Sequence, residues 1–228
     1  MSPRSLAAAS GQRVPRQVIV LVLLAVVAAA GCGLMLGGLT PWAVYAPRPD
    51  TVAHPASLPP VPTLAPGQHA PEALRRSAPT VVDIAAIGVH ADVVPVGLHR
   101  DGTIAVPSLR RPELAGWFRS GPSPGESGVA ALVGHVDSRA SGAAVFYELG
   151  ALAPGAAIEV SRADGSRARF LVDLVESYPK RRFPYGAVFG DTGYAALRLI
   201  TCGGSFDAGH RSYRDNIVVY ATMDYSTR

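Results

Sequence analysis

Three side chains suited to acyl-transfer chemistry sit at the borders of apolar runs in this chain. Cys202 follows "LRLIT", His135 follows "GVAALVG", and Arg214 precedes "DNIVVYA". A thiolate is a strong nucleophile, an imidazole beside it can move protons, and a guanidinium keeps its charge near a developing negative oxygen. Cys202 is one of only two cysteines. The other, Cys32, lies in an uncharged apolar stretch, so the region holding Cys202 has no disulfide partner. A lone thiol is either packed and inert or kept for reactivity. Cys202 reads as the second kind. The run before it presents the thiol at the end of a strand, where a barrel displays side chains on its rim. Gly203 and Gly204 leave room for a substrate backbone. Arg214, twelve residues on, opens the next apolar run. If the two runs are neighbouring strands, Cys202 and Arg214 share one end of the sheet.

A thiol also needs a base or ion-pair partner. Of six histidines, His135 is the best placed, because it ends its apolar run as Cys202 ends its own. The competing reading is a structural histidine hydrogen-bonded at a strand end. His210 falls in a Gly/Ser/Asp-rich loop, and His90 and His99 read as surface positions in a hairpin.

Rigid elements must hold these groups. From Thr80 onward the chain is rich in β-branched residues separated by Gly and Pro. "TVVDIAAIGVHADVVPVGL" reads as two strands, "DGTIAVP" as a turn and a short strand, and "AIEVSRADGSRARFLVDLVESY" as a hairpin around Asp164-Gly165. "GVAALVGHV", "ALRLITC" and "NIVVYATM" complete seven or eight short strands. Helical potential is confined mainly to "AAVFYELGAL". The pattern predicts an all-β barrel or sandwich with minor helix. In the stretch 178–195, Phe183, Tyr185, Val188 and Phe189 either wall an apolar pocket or form the small core of their own loop.

The region ahead of this domain has a different texture. Residues 1–17 carry Arg4, Arg13 and Arg16 and no acid, and read as a basic tail. Residues 18–39 are uncharged over 22 positions, enough for a helix to cross a hydrocarbon core of about 30 Å. The preceding arginines predict a cytoplasmic N-terminus and an exported remainder. The run continues past Cys32, which favours an uncleaved anchor over a signal peptide or a lipoprotein signal. Residues 40–79 hold ten of the twenty prolines and read as a semi-rigid spacer, leaving 80–224 as the globular domain. The net charge is +4, and of 21 basic Lys and Arg side chains only Lys180 is a lysine. The arginines are scattered, with "KRR" at 180–182 the densest group, and show neither the stripe nor the aromatic platform of a nucleic-acid binder.

"LVGHVDS", "AVFYELGALAPG", "LRLITCGG" and "YRDNIVVYA", in that order, resemble the sortase family, closest to the actinobacterial group called class F. The resemblance spans about Pro79 to Met223. One position departs from the family pattern: the usual threonine-leucine-x-threonine-cysteine box begins with Arg198 here, while Thr201 and Cys202 stay in place. The resemblance implies a sortase-like closed β-barrel of seven or eight strands behind a membrane anchor and a Pro-rich linker. It also implies a cysteine transpeptidase with Cys202 as nucleophile, His135 as acid/base and Arg214 as stabiliser of substrate and oxyanion. The implied partners are surface proteins with an LPxTG-like C-terminal sorting signal and an amine acceptor in the cell wall. No cofactor or metal is expected, as the chemistry asks for none and the sequence has no dense cluster of ligating residues.

Other readings predict different residues. An L,D-transpeptidase places a glycine before its cysteine and an arginine two residues after; here these are Thr201 and Gly204. A papain-like peptidase sets its cysteine on a helix near the domain's start. A non-enzymatic anchored binding module would carry the three groups by coincidence.

Overall fold

The computed structural model describes residues 46–49 and 72–226. The basic tail at 1–17, the anchor at 18–39 and most of the 40–79 linker lie outside the described residues. Among the described residues, no helix is long and apolar enough to cross a membrane.

Ten strands form: β1 Pro79–Ile84, β2 Val89–Val96, β3 Ala115–Phe118, β4 Gly128–Val133, β5 Asp137–Ser138, β6 Gly142–Ala143, β7 Ala157–Arg162, β8 Arg167–Pro179, β9 Ala195–Asp207 and β10 Ser212–Met223. Eight close into a barrel in the order β1-β2-β3-β4-β9-β10-β8-β7, and β5 pairs with β6 in a side ribbon. The all-β expectation holds, at the upper strand count. Among the described residues a short helix, α1 (Tyr185–Phe189), follows β8.

Where a strand is covered on one face only, its side chains alternate. β7 runs half-buried, buried, half-buried throughout, with Ile158 and Val160 inside the barrel. The β7–β8 hairpin turns at Asp164-Gly165 as its sequence predicts. Gly165 takes a φ of 82°, and the Asp164 carboxylate accepts from the Ser166 N–H.

β4 and the first half of β9 are buried at every position, because both of their faces are covered. Inside the barrel, Leu132, Leu197, Leu199, Ile217 and Val219 join the main core. Outside it, Val133, Ile200, Val218 and Tyr220 form a second cluster with Tyr178 and Val188. The connection from β8 to β9 supplies the cover. Phe183 stands edge-on to Tyr178 at 6.0 Å and to Tyr185 at 5.0 Å, and Val188 of α1 is fully buried. Phe183, Val188 and Phe189 therefore belong to a small core against the barrel wall rather than to the walls of an empty pocket.

Two local expectations are met only in part, for identifiable reasons. "DGTIAVP" does not form a strand. Its hydrogen bonds go into a turn, with Asp101 accepting from Thr103, and only Ile104 bridges back to Leu98. "AAVFYELGAL" forms a 3-10 turn, Tyr147–Ala151, whose Leu149 packs into the main core beside Phe146.

Arg198 is buried, with its guanidinium 4.3 Å above the Tyr220 ring. Burial works against its charge and lowers its pKa from the usual arginine value, while the neighbouring tyrosines and Asp173 act the other way. Tyr220 in turn shares a hydroxyl–hydroxyl hydrogen bond of 2.9 Å with Tyr178. Removing one hydroxyl strands the other in a buried site, at a cost of about 1–3 kcal/mol. We expect Tyr220→Phe and Tyr178→Phe each to lower the unfolding free energy by such an amount. The double variant should lose less than their sum in a urea-unfolding cycle.

Candidate active site

β4 and β9 run parallel, so their C-terminal ends lie at the same end of the barrel. The register pairs Val133 with Ile200, and the Gly134 N–H extends the ladder to the Ile200 carbonyl at 3.1 Å. Two residues further along each strand come His135 and Cys202. Val133 and Ile200 both point to the outer cluster. Alternation along β9 turns Cys202 outward as well, while His135 follows two residues past the end of β4. Gly134 faces in, where an added Cβ would meet Phe146 at 2.5 Å. The ladder thus runs toward both residues at the same end of the barrel. Both side chains are half-buried.

The His135 Nε2 lies 2.7 Å from the buried Pro107 carbonyl, supplied by the β2–β3 connection. A carbonyl only accepts, so Nε2 carries the proton and Nδ1 is left as the second functional nitrogen. A second tether runs through Asp137, two residues on, which accepts a short hydrogen bond from the Tyr213 hydroxyl of β10. Burial, and then this bond, raise the Tyr213 phenol above its usual value and keep it protonated.

Cys202 does not end its strand. β9 continues to Asp207, and "GGSFDAGHRSY" is not a loop but the far half of a long hairpin that turns over residues 208–211. The strand tolerates its glycines through a bulge. Asp215 pairs with Gly203 and Tyr213 with Phe206, so Gly204 and Ser205 together oppose Arg214. Gly204 takes a φ of 76°, and a Cβ there would meet the Asp215 carboxylate at 2.1 Å. At Gly203 a Cβ would meet Ile217 at 2.7 Å. Both glycines are thus explained by packing and by the bulge, rather than by a substrate's approach.

Arg214 shares this end of the sheet with Cys202 but does not stand directly across from it. The residue there is Asn216, and Arg214 lies two positions nearer the turn on the same outward face. Its side chain is two-thirds exposed and makes one hydrogen bond, Nη2 to Asp207 Oδ2 at 3.4 Å. Asp207 also accepts from the His210 backbone N–H at 3.2 Å. The backbone and side-chain contacts with His210 hold the Asp207 carboxyl below its usual value. Among the described residues, no hydrogen bond joins Cys202 to His135 or to Arg214.

The group that does reach the thiol comes from elsewhere. Lys180, just past the end of β8, places Nζ 3.4 Å from Cys202 Sγ and 2.9 Å from Ser212 Oγ. Sequence reasoning missed it by grouping "KRR" as solvated cations. Being the sole lysine was the available signal. An open cleft of about 580 Å³ adjoins these residues, lined among others by Lys180, Arg182, Ser212 and Arg214.

A family model, the sortase domain, matches residues 82–224. The chain belongs to the sortase family. Sortases are cysteine transpeptidases that join surface proteins bearing sorting signals to amine acceptors of the cell wall. Solved sortases share the barrel. A lid mutant of sortase A from Corynebacterium diphtheriae is 15% identical, with a TM-score of 0.50 over 68% of this chain and 74% of that one. A mutant of sortase C-1 from S. pneumoniae is 19% identical, with a TM-score of 0.51 over 65% of this chain and 67% of that one. The likeness at these identities is one of fold. No curated protein matches this sortase.

The bulge generates a stability prediction. Gly204→Ala must adopt a left-handed φ and displace Asp215, so it should cost about 1–3 kcal/mol. Ser205→Ala, at the neighbouring exposed bulge position, should stay within about 0.5 kcal/mol. Thermal unfolding of the two variants checks this, and equal losses would contradict the assigned role of Gly204.

Proposed function

We propose that this sortase is a membrane-anchored, class F-like enzyme in which Cys202 is the nucleophile, His135 the acid/base and Arg214 the stabiliser of substrate and oxyanion. The observation that supports the reading is the parallel β4–β9 ladder, which runs toward His135 and Cys202 at one end of a sortase-family barrel.

The thiolate attacks the carbonyl carbon of the threonine–glycine bond in an LPxTG-like signal. A C–S bond forms and the carbonyl oxygen takes up negative charge. Arg214 has five N–H donors in a planar fork, of which one contacts Asp207, so others are available to this oxygen. His135 gives a proton to the departing amine as the C–N bond breaks. The thioester then meets a cell-surface amine, and His135 takes the proton that this amine releases. With Nε2 committed to Pro107, Nδ1 is the atom suited to that traffic. The uncharged span at 18–39, behind its arginines, supports a single-pass anchor with a cytoplasmic N-terminus and an extracellular catalytic domain.

Transpeptidation of a sorting-signal peptide onto an amine, followed by mass spectrometry, tests the chemistry. Cys202→Ala should abolish transfer while circular dichroism stays unchanged. Activity above about a tenth of the parent, the scale of a modest catalytic contribution, would exclude it as nucleophile. Arg214→Ala should lose on the order of 100-fold in turnover. Arg214→Lys should be nearly as damaging, because lysine lacks the planar fork. Arg211, at the exposed hairpin turn, is the control and its alanine variant should transfer almost normally. For orientation, protease added to intact protoplasts should remove the domain and spare the N-terminus. A mature chain that begins near residue 32 would overturn the anchor.

A further inference from the structure

Among the described residues, Cys202 Sγ has one hydrogen-bond partner, the Lys180 ammonium. The direction of that bond is fixed by its surroundings. Ser212 Oγ donates its single proton to the Tyr213 carbonyl at 3.2 Å, so toward Lys180 it can only accept. Lys180 is therefore the donor to Ser212, and with three N–H groups and no lone pair it is the donor to sulfur too. A thiol is a weak acceptor for such a bond. A thiolate is a strong one, and the bond then becomes charge-assisted.

Position and residue type agree. Pro179 pairs with Asp215 of β10 at the level of the bulge, and the chain then turns so that the next residue lies over Cys202. Lys180 is half-buried, whereas Arg181 and Arg182 beside it are exposed. Every other basic Lys or Arg position in the chain is an arginine. A compact ammonium suits a single sulfur held from one side better than a planar fork does.

The other charged or titratable groups around the thiol are engaged elsewhere. From the β4–β5 segment, His135 is bonded to Pro107 and Asp137 to Tyr213. From the β9–β10 hairpin, Arg214 and His210 are drawn to Asp207, and Asp215 packs against Gly204.

The geometry points to Lys180 as a fourth catalytic residue, whose ammonium holds Cys202 as a thiolate before attack and receives it again when the thioester is cleaved. This rests on the reading of Cys202 as the nucleophile. In the first half-reaction the sulfur's electron pair forms the C–S bond, the peptide C–N bond breaks, and the leaving nitrogen takes its proton from His135. In the second, the acceptor amine forms the new C–N bond and passes its proton to His135, and sulfur departs with the C–S electron pair. Lys180 keeps its proton throughout.

The test is alkylation of Cys202 by iodoacetamide, an uncharged reagent, in the full-length chain in detergent, read on the Cys202 peptide by mass spectrometry. An opposite charge at this range favours an ionised group by about tenfold or more. Lys180→Met and Lys180→Gln should each slow labelling by about tenfold or more at pH 7, and lower transfer by a similar factor. Lys180→Arg should retain part of both. Near pH 10, where an unassisted thiol is ionised, labelling rates of variant and parent should converge. Parental labelling and transfer in both neutral variants would overturn the inference. So would a deficit that persists undiminished at pH 10, which would mean that Lys180 only shapes the chain around the thiol. Cys202→Ala separates the two levels. If it still transfers, the nucleophile is wrong. If it is inactive while the Lys180 variants behave as the parent, only the role of Lys180 is wrong.

Discussion

The parallel pairing of β4 with β9 is the constraint on which the site depends. No local turn joins these two strands, which meet only as the barrel forms. Their register is enforced by burial on both faces. Leu132, Leu197 and Leu199 lie inside, and Val133 and Ile200 outside. A slip of one residue would exchange these sets and turn His135 or Cys202 toward the interior. Each large apolar side chain buried is worth about 1.5–3 kcal/mol, so several of them together fix the register firmly. The relative height of imidazole and thiol is therefore set by the core, not by any bond between the two.

The β9–β10 hairpin shows how a long antiparallel pair carries polar chemistry at one end. Toward the barrel's middle, the two strands are buried and mostly apolar, with Arg198 set over Tyr220. Past Cys202, the bulge at Gly204 changes the register and brings Asp207 to Arg214 and His210. Asp207 thus organises the cationic edge of the cleft. It gives the Arg214 guanidinium a fixed neighbour while leaving it exposed to the cleft.

The connection between β8 and β9 does two things. Its aromatic residues seal the outer face of the barrel, which lets β9 and β10 be apolar on both sides. Its first residue, Lys180, is held over the thiol by the end of β8 and by Ser212. The seal and the cation belong to one short segment, so the packing of Phe183 and Val188 bears on where the ammonium sits.

Much of this was legible in the sequence. Period-two alternation and Asp164-Gly165 announced the β7–β8 hairpin. Continuous apolar runs announced β4, β9 and β10. Cys202 and His135, each following such a run, marked the end of the barrel toward which the β4–β9 ladder runs. Residue type and local periodicity suffice for these, because each depends on neighbours along the chain. The tertiary structure alone decided the rest. "GGSFD" has the composition of a loop, yet it continues a strand, because pairing with β10 absorbs its glycines in a bulge. Asn216 rather than Arg214 stands opposite Cys202, because the hairpin turns over residues 208–211 and not earlier. Lys180 meets Cys202 across 22 residues of sequence. It does so because β8 and β9 flank β10 in the closed barrel, and no local pattern encodes a contact made through a shared neighbouring strand.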